Sequence, residues 1–183
     1  MEVVKIVLAA IVAAAVYGVA HDMVTAHVCV EYFTVGHPRV IASETPALLA
    51  LVWGVLATWW MGLLLGIPLA VVSRAGRRPR LRAADLVRPI SALLGVMAAA
   101  SLAAGLIGHT LAAAGNVWLL EPMASRVPAG RHTAFLTNLW AHSAAYLAGL
   151  VGGIALCILM WRRRGKIDRR ADTLSPKDAP QCC

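Results

Sequence analysis

Four stretches of this chain are each long and apolar enough to cross the hydrocarbon core of a bilayer, and they dictate what it can fold into. That core is about 30 Å thick and takes about 20 helical residues to span. Residues 3–25, 46–72, 89–114 and 133–161 meet the requirement. No hydrophilic block between them is long enough to fold alone. The expected fold class is therefore all-α: a polytopic bundle of four transmembrane helices occupying residues 1–165, with a polar cytoplasmic tail, disordered by composition, at 166–183. Composition agrees. Of 183 residues, 60% are hydrophobic and 14% charged, where a soluble domain carries about a quarter charged.

Helix punctuation supports the same division. Thr45-Pro46 and Arg88-Pro89 place proline where a first helical turn tolerates it. Gly115-Asn116 reads as the C-terminal cap of segment three, and Pro68 is expected to kink segment two. The net charge of +8 is concentrated beside the spans rather than spread over a basic face. "SRAGRRPRLRAADLVRP" holds six arginines and "WRRRGKIDRR" follows segment four, whereas the loop at 25–45 has Arg39 alone. Such clusters are topology signals. They imply a multi-pass membrane protein with both termini cytoplasmic, and they argue against a nucleic-acid surface. A rival reading makes segment one a cleaved signal peptide with His21 as the new N-terminus, but its apolar run is long and its first residues are barely basic.

The polar residues are unevenly placed. Counting along each helix from its inner boundary brings His21, His109 and His142 to one depth, about a turn inside the outer edge. Ionisable groups at that depth are costly and normally face the bundle interior. Helical phase groups Tyr17, His21, Thr25 and Tyr32 on one stripe, Ser101, Gly105 and His109 on a second, and Asn138, His142, Tyr146, Gly149 and Gly153 on a third. Small residues on these stripes would let backbones approach closely, within the chain or against a second copy or another membrane protein.

Three histidines at one level suit a transition metal, since neutral imidazole binds zinc and copper well. His21, His109 and His142 are the candidate ligands, Asp22 and Asn138 the groups that would orient them, and His27 with Glu31 a pair at the entrance. Bis-histidine haem is a second option. A zinc ion with an open position could activate water and make an intramembrane hydrolase. Against these stands a structural or accessory protein without cofactor, its histidines acting as hydrogen-bond glue between helices. No nucleotide loop, nucleophile elbow or paired acidic motif is present, and the terminal Cys182 and Cys183 suggest no role.

The block His21 to Pro38, "HDMVTAHVCVEYFTVGHP", resembles a signature of uncharacterised bacterial four-helix integral membrane proteins, H-D-x-x-T-A-x-x-C-x-E-Y-F-T-x-x-H-P. His21, Asp22, Thr25, Ala26, Cys29, Glu31, Tyr32, Phe33, Thr34, His37 and Pro38 match it, over about a tenth of the chain. The resemblance implies a bacterial origin, hence a multi-pass protein of the bacterial inner membrane, and carries no activity.

Overall fold

The computed structural model describes residues 1–174, with side chains as far as 169. It is all-α, with no strand among the described residues. The elements are α1 (Glu2–Val28), α2 (Glu31–Thr34), α3 (Pro46–Leu56), α4 (Trp59–Arg74), α5 (Ala83–Ala113), α6 (Met123–Arg126) and α7 (His132–Leu174). Four helical segments, Glu2–Val28, Pro46–Arg74, Ala83–Ala113 and Ala129–Arg169, are long and apolar enough to cross a membrane.

The four segments form two hairpins, α1 against α3 and α4, and α5 against α7. The first is closed by glycine. A Cβ on Gly54 would lie 2.5 Å from the backbone N and Cα of Val19, and one on Gly18 would strike the Gly54 carbonyl. Further along, a Cβ on Gly62 would lie 2.7 Å from Ile11 Cα, and one on Gly66 would lie 2.9 Å from the Ala10 methyl. Only residues without a side chain allow this approach, which supplies the van der Waals contact that holds helices together in lipid.

Several boundaries differ from the sequence expectation. Segment two is interrupted well before Pro68. The α4 helix runs across that proline, and the interruption falls at Ala57 and Thr58. There the freed carbonyls find partners: Thr58 Oγ1 donates to Gly54 O at 2.5 Å and Tyr146 Oη to Ala57 O at 3.2 Å. Segment three starts six residues before Pro89, at Ala83, because Asp85 Oδ2 accepts the Arg82 N–H at 2.7 Å and Glu2 Oε2 accepts the Ala83 N–H at 3.2 Å. Pro89 then denies the Asp85 carbonyl its helical donor, and Arg163 Nη1 reaches that oxygen at 3.4 Å. The tail expected from 166 continues as helix to Leu174; Cys182 and Cys183 lie outside the described residues. Gly115, at φ +74°, closes α5 as expected, with the Asn116 N–H on Leu111 O at 2.9 Å.

At the end carrying the arginine loop, Arg164 is fully buried. Its guanidinium donates to the carbonyls of Val72, Ala75, Arg78 and Pro79 at 2.6 to 2.8 Å. One cation thus satisfies the orphan carbonyls of the α4 C-terminus and fixes the loop. A core of Ile6, Leu69, Leu86, Leu156 and Met160 packs near it. A second core, around Phe33, Leu49, Leu119, Phe135 and Leu136, lies at the opposite, α2 end. The site sits between the two.

Candidate functional site

The α1 helix ends at Val28, and Cys29 turns extended (φ −152°, ψ 99°). Where α1 ends, Thr25 O still accepts the Cys29 N–H at 2.9 Å and Cys29 O the Tyr32 N–H at 3.3 Å, and Asn138, 1% exposed, adds a second donor to both: its Nδ2 lies 2.7 Å from Thr25 O and 3.2 Å from Cys29 O. Arg131 Nη2 donates to Val28 O at 3.0 Å. After the break α2 folds back, burying Tyr32 and Phe33 over the bundle. Tyr32 stacks on His142 with ring centroids 4.6 Å apart, and His37, held by its Nδ1 2.8 Å from Tyr32 O, packs on Trp53.

Beneath this aromatic cover, His21, Asp22 and His142 converge, and each offers one ligand atom within 4.8 Å of the others. His142 Nε2 lies 3.8 Å from Asp22 Oδ1 and 3.2 Å from Thr25 Oγ1. The rings of His21 and His142 meet edge to face at 4.4 Å. On His21, Nδ1 lies 3.4 Å from Ser101 Oγ, while Nε2 is buried without a protein partner. That nitrogen is the free donor of the cluster, and Ser101 holds the other side of the ring as partners of metal-bound histidines do.

The residues singled out in the sequence separate accordingly. His21 and His142 come together; Asp22, expected only to orient a ring, offers a ligand oxygen itself; Asn138 stands behind, positioning Thr25. His109 is elsewhere, its Nδ1 3.2 Å from Thr137 Oγ1 on the exposed side of the α5–α7 pair. From Ser101 the i, i+4, i+8 series drifts about 40° per step, so His109 ends about 80° around the helix from the residue that touches His21. The entrance pair does not form. His27 is exposed with Nδ1 2.6 Å from Met23 O, and the break after Val28 turns Glu31 toward Arg131, whose Nε lies 3.1 Å from both carboxylate oxygens. Burial works to raise the Glu31 carboxyl, yet its own backbone N–H, the Cys29 thiol and the Arg131 guanidinium hold it below the ordinary glutamate value. Burial, with Glu31 accepting its S–H, pushes the Cys29 thiol up to about 11, so it is protonated and inert near neutral pH. Sequence reading missed the aromatic cover; the signal was the Tyr32-Phe33 pair directly after the break.

The cluster caps a cavity of about 130 Å³ between the two hairpins. Its polar groups, among them Tyr17, Thr58 and Tyr146, gather at the cluster end, and toward the arginine end its walls are Leu65, Leu69, Leu93 and Leu156. Trp59 and Trp60 do not line it and are 44% exposed on the outside of the bundle. Two imidazoles and a carboxylate suit zinc or copper. They do not suit haem: histidines on opposite faces of a macrocycle need its plane between them, and rings touching at 4.4 Å leave none.

Fold and site together define a four-segment helical protein of membrane-spanning dimensions with a buried His-Asp-His cluster. Compared with known proteins, the chain matches no family model, no curated protein and no solved structure.

Proposed function

We propose that this is a multi-pass protein of a bacterial inner membrane that binds one divalent transition metal, of the zinc class, through His21 Nε2, Asp22 and His142 Nε2. The convergence of two ring nitrogens and a carboxylate oxygen within 4.8 Å carries the reading. A tetrahedral zinc with bonds of about 2.0 to 2.1 Å keeps its ligand atoms about 3.3 Å apart, so modest side-chain rotation closes the site. The unpartnered His21 Nε2 supports it further, because a buried polar atom without a partner is costly unless something binds there. Three protein ligands leave one position open toward the cavity. The arginine loop and the arginines of α7 lie at the other end, so the positive-inside rule puts both termini in the cytoplasm and the metal nearer the outer face.

The test is elemental analysis of purified protein, as isolated and after reconstitution with zinc, beside a His21→Ala/His142→Ala double variant. The expected result is one metal per chain, lost in the variant. A protein that stays metal-free after reconstitution, or a variant that keeps its metal, overturns the reading and leaves the histidines as glue between helices.

A further inference from the structure

We infer that the cavity below the cluster receives the hydrocarbon chain of a long-chain fatty acid, whose carboxylate takes the open position on the metal. The head of this inference rests on the metal reading above; the chain slot does not. The cavity runs from Asp22 down to Ala10 on α1, about 18 Å at 1.5 Å per residue, and from His142 to Leu156 on α7, about 21 Å. The centres of water-sized spheres have about 130 Å³ there; spread over about 20 Å and widened by the sphere radius of about 1.4 Å, that is a bore about 5 to 6 Å across, enough for one hydrocarbon chain.

Its polarity is that of a single-chain amphiphile. Imidazole, carboxyl, phenol and hydroxyl groups line one end, and only aliphatic side chains and the thioether of Met97 line the other. Its walls include the small side chains of Ala10, Ala13 and Ala14 on α1, and on α7 Gly149 and Gly153 let the Met97 and Leu65 side chains lie close against the helix backbone. Charge selects the head. A divalent metal with the Asp22 carboxylate carries one net positive charge, and a fatty-acid carboxylate brings it to zero, the favoured state in a medium of low dielectric. A long-chain alcohol leaves the charge uncompensated and binds less well.

The experiment uses the full chain in phosphatidylcholine nanodiscs with a palmitate carrying a diazirine along its chain, photolysed with zinc or with a chelator, and mapped by peptide mass spectrometry. With zinc, adducts are expected on Leu65, Leu93, Met97 and Leu156, and a matched diazirine alcohol should label them about tenfold less. Ala13→Leu, which fills the slot away from the Gly54–Gly18 contact, should abolish those adducts and leave zinc stoichiometry at the wild-type value. Zinc-loaded protein labelled only on outward residues such as Leu8 and Val12 overturns the fatty-acid site while the metal reading stands. Slot labelling equal with and without zinc, or equal for acid and alcohol, overturns the carboxylate-to-metal assignment. Absence of zinc after reconstitution overturns the metal reading itself, so the two failures are distinct.

Discussion

Replacing Gly54 with alanine tests whether the α1–α3 contact sets the geometry of the whole site. The added methyl would lie 2.5 Å from Val19 N and Cα and 2.7 Å from Gly18 C, where carbon atoms prefer about 3.5 to 4.0 Å. Those neighbours are helix backbone, so no rotamer change relieves the clash, and α1 must move away from α3 by about 1 Å. Overpacking of this kind costs about 1 to 3 kcal/mol, and the upper half of that range applies because the separation also loosens the Gly62 and Gly66 contacts below. Gly95→Ala is the control: a Cβ there meets nothing within 4 Å, and removing an interior helix glycine should stabilise by about 0.5 to 1 kcal/mol. The assay is reversible unfolding in mixed micelles by titration with sodium dodecyl sulfate, followed by tryptophan fluorescence. A Gly54→Ala protein within about 0.5 kcal/mol of wild type would falsify the account of the seam, that being the usual spread for a surface change. Because Gly18 lies one turn before His21, the same variant should also bind zinc more weakly.

Ser101→Ala removes the hydroxyl beside His21 Nδ1 and should lower zinc affinity about 10- to 100-fold at unchanged stoichiometry, read by competition with a chelating dye. Asn138→Leu removes the second donor from the Thr25 and Cys29 carbonyls, which keep their backbone N–H partners, and should destabilise by about 0.5 to 1.5 kcal/mol in the same micelle titration; no loss would mean those backbone bonds suffice. Glu31 has a folded value below its ordinary 4.5, so its pairing with Arg131 contributes fully above 4.5 and fades as pH falls through the lower, folded value. Glu31→Gln should therefore be less stable than wild type at neutral pH and converge with it in acid; parallel curves would refute the pairing. Arg164→Met leaves four carbonyls without their cation, and trypsin should cut the 75–82 loop faster than in wild type.

The four spans were legible because length and hydropathy alone decide them, and Gly115 because a helix end needs a residue tolerant of positive φ. The breaks were not legible. "VLATWW" contains neither proline nor glycine at Ala57-Thr58; the interruption there is tertiary, resting on the Gly18–Gly54 approach and on Tyr146 from a distant helix. Pro89 misled in the same way, since it lies inside continuous helix and Arg163, from elsewhere in the chain, serves the carbonyl that it orphans. Depth was a sound guide for His21 and His142, and insufficient for His109, where the accumulated 40° drift decides which way the ring faces. Asp22, about 100° from His21 on one helix, was expected to orient a ring; it offers a ligand atom instead because His142 approaches both residues from α7.

The two helix interruptions and the cluster belong to one arrangement. Irregular backbone within a span is tolerated where protein buries it or where it lines a cavity, and Ala57 and Thr58 do line the cavity below His21. Eleven residues separate Pro46 from Ala57, about 16 Å of helix, which puts that break near the middle of the span. The second interruption, at Cys29, turns α2 back so that Tyr32 and Phe33 cover the cluster. Without it α1 would run straight on, carrying Tyr32 away from His142 and leaving the histidine pair open at the α2 end. Of the side chains that serve the carbonyls at these breaks, Asn138 and Tyr146 project from α7, the helix that also supplies His142, and Arg131 from the turn immediately before it. One helix thus fixes both breaks and one ligand, so a displacement of α7 against α1 would loosen the cover and separate His142 from His21 and Asp22 in a single movement.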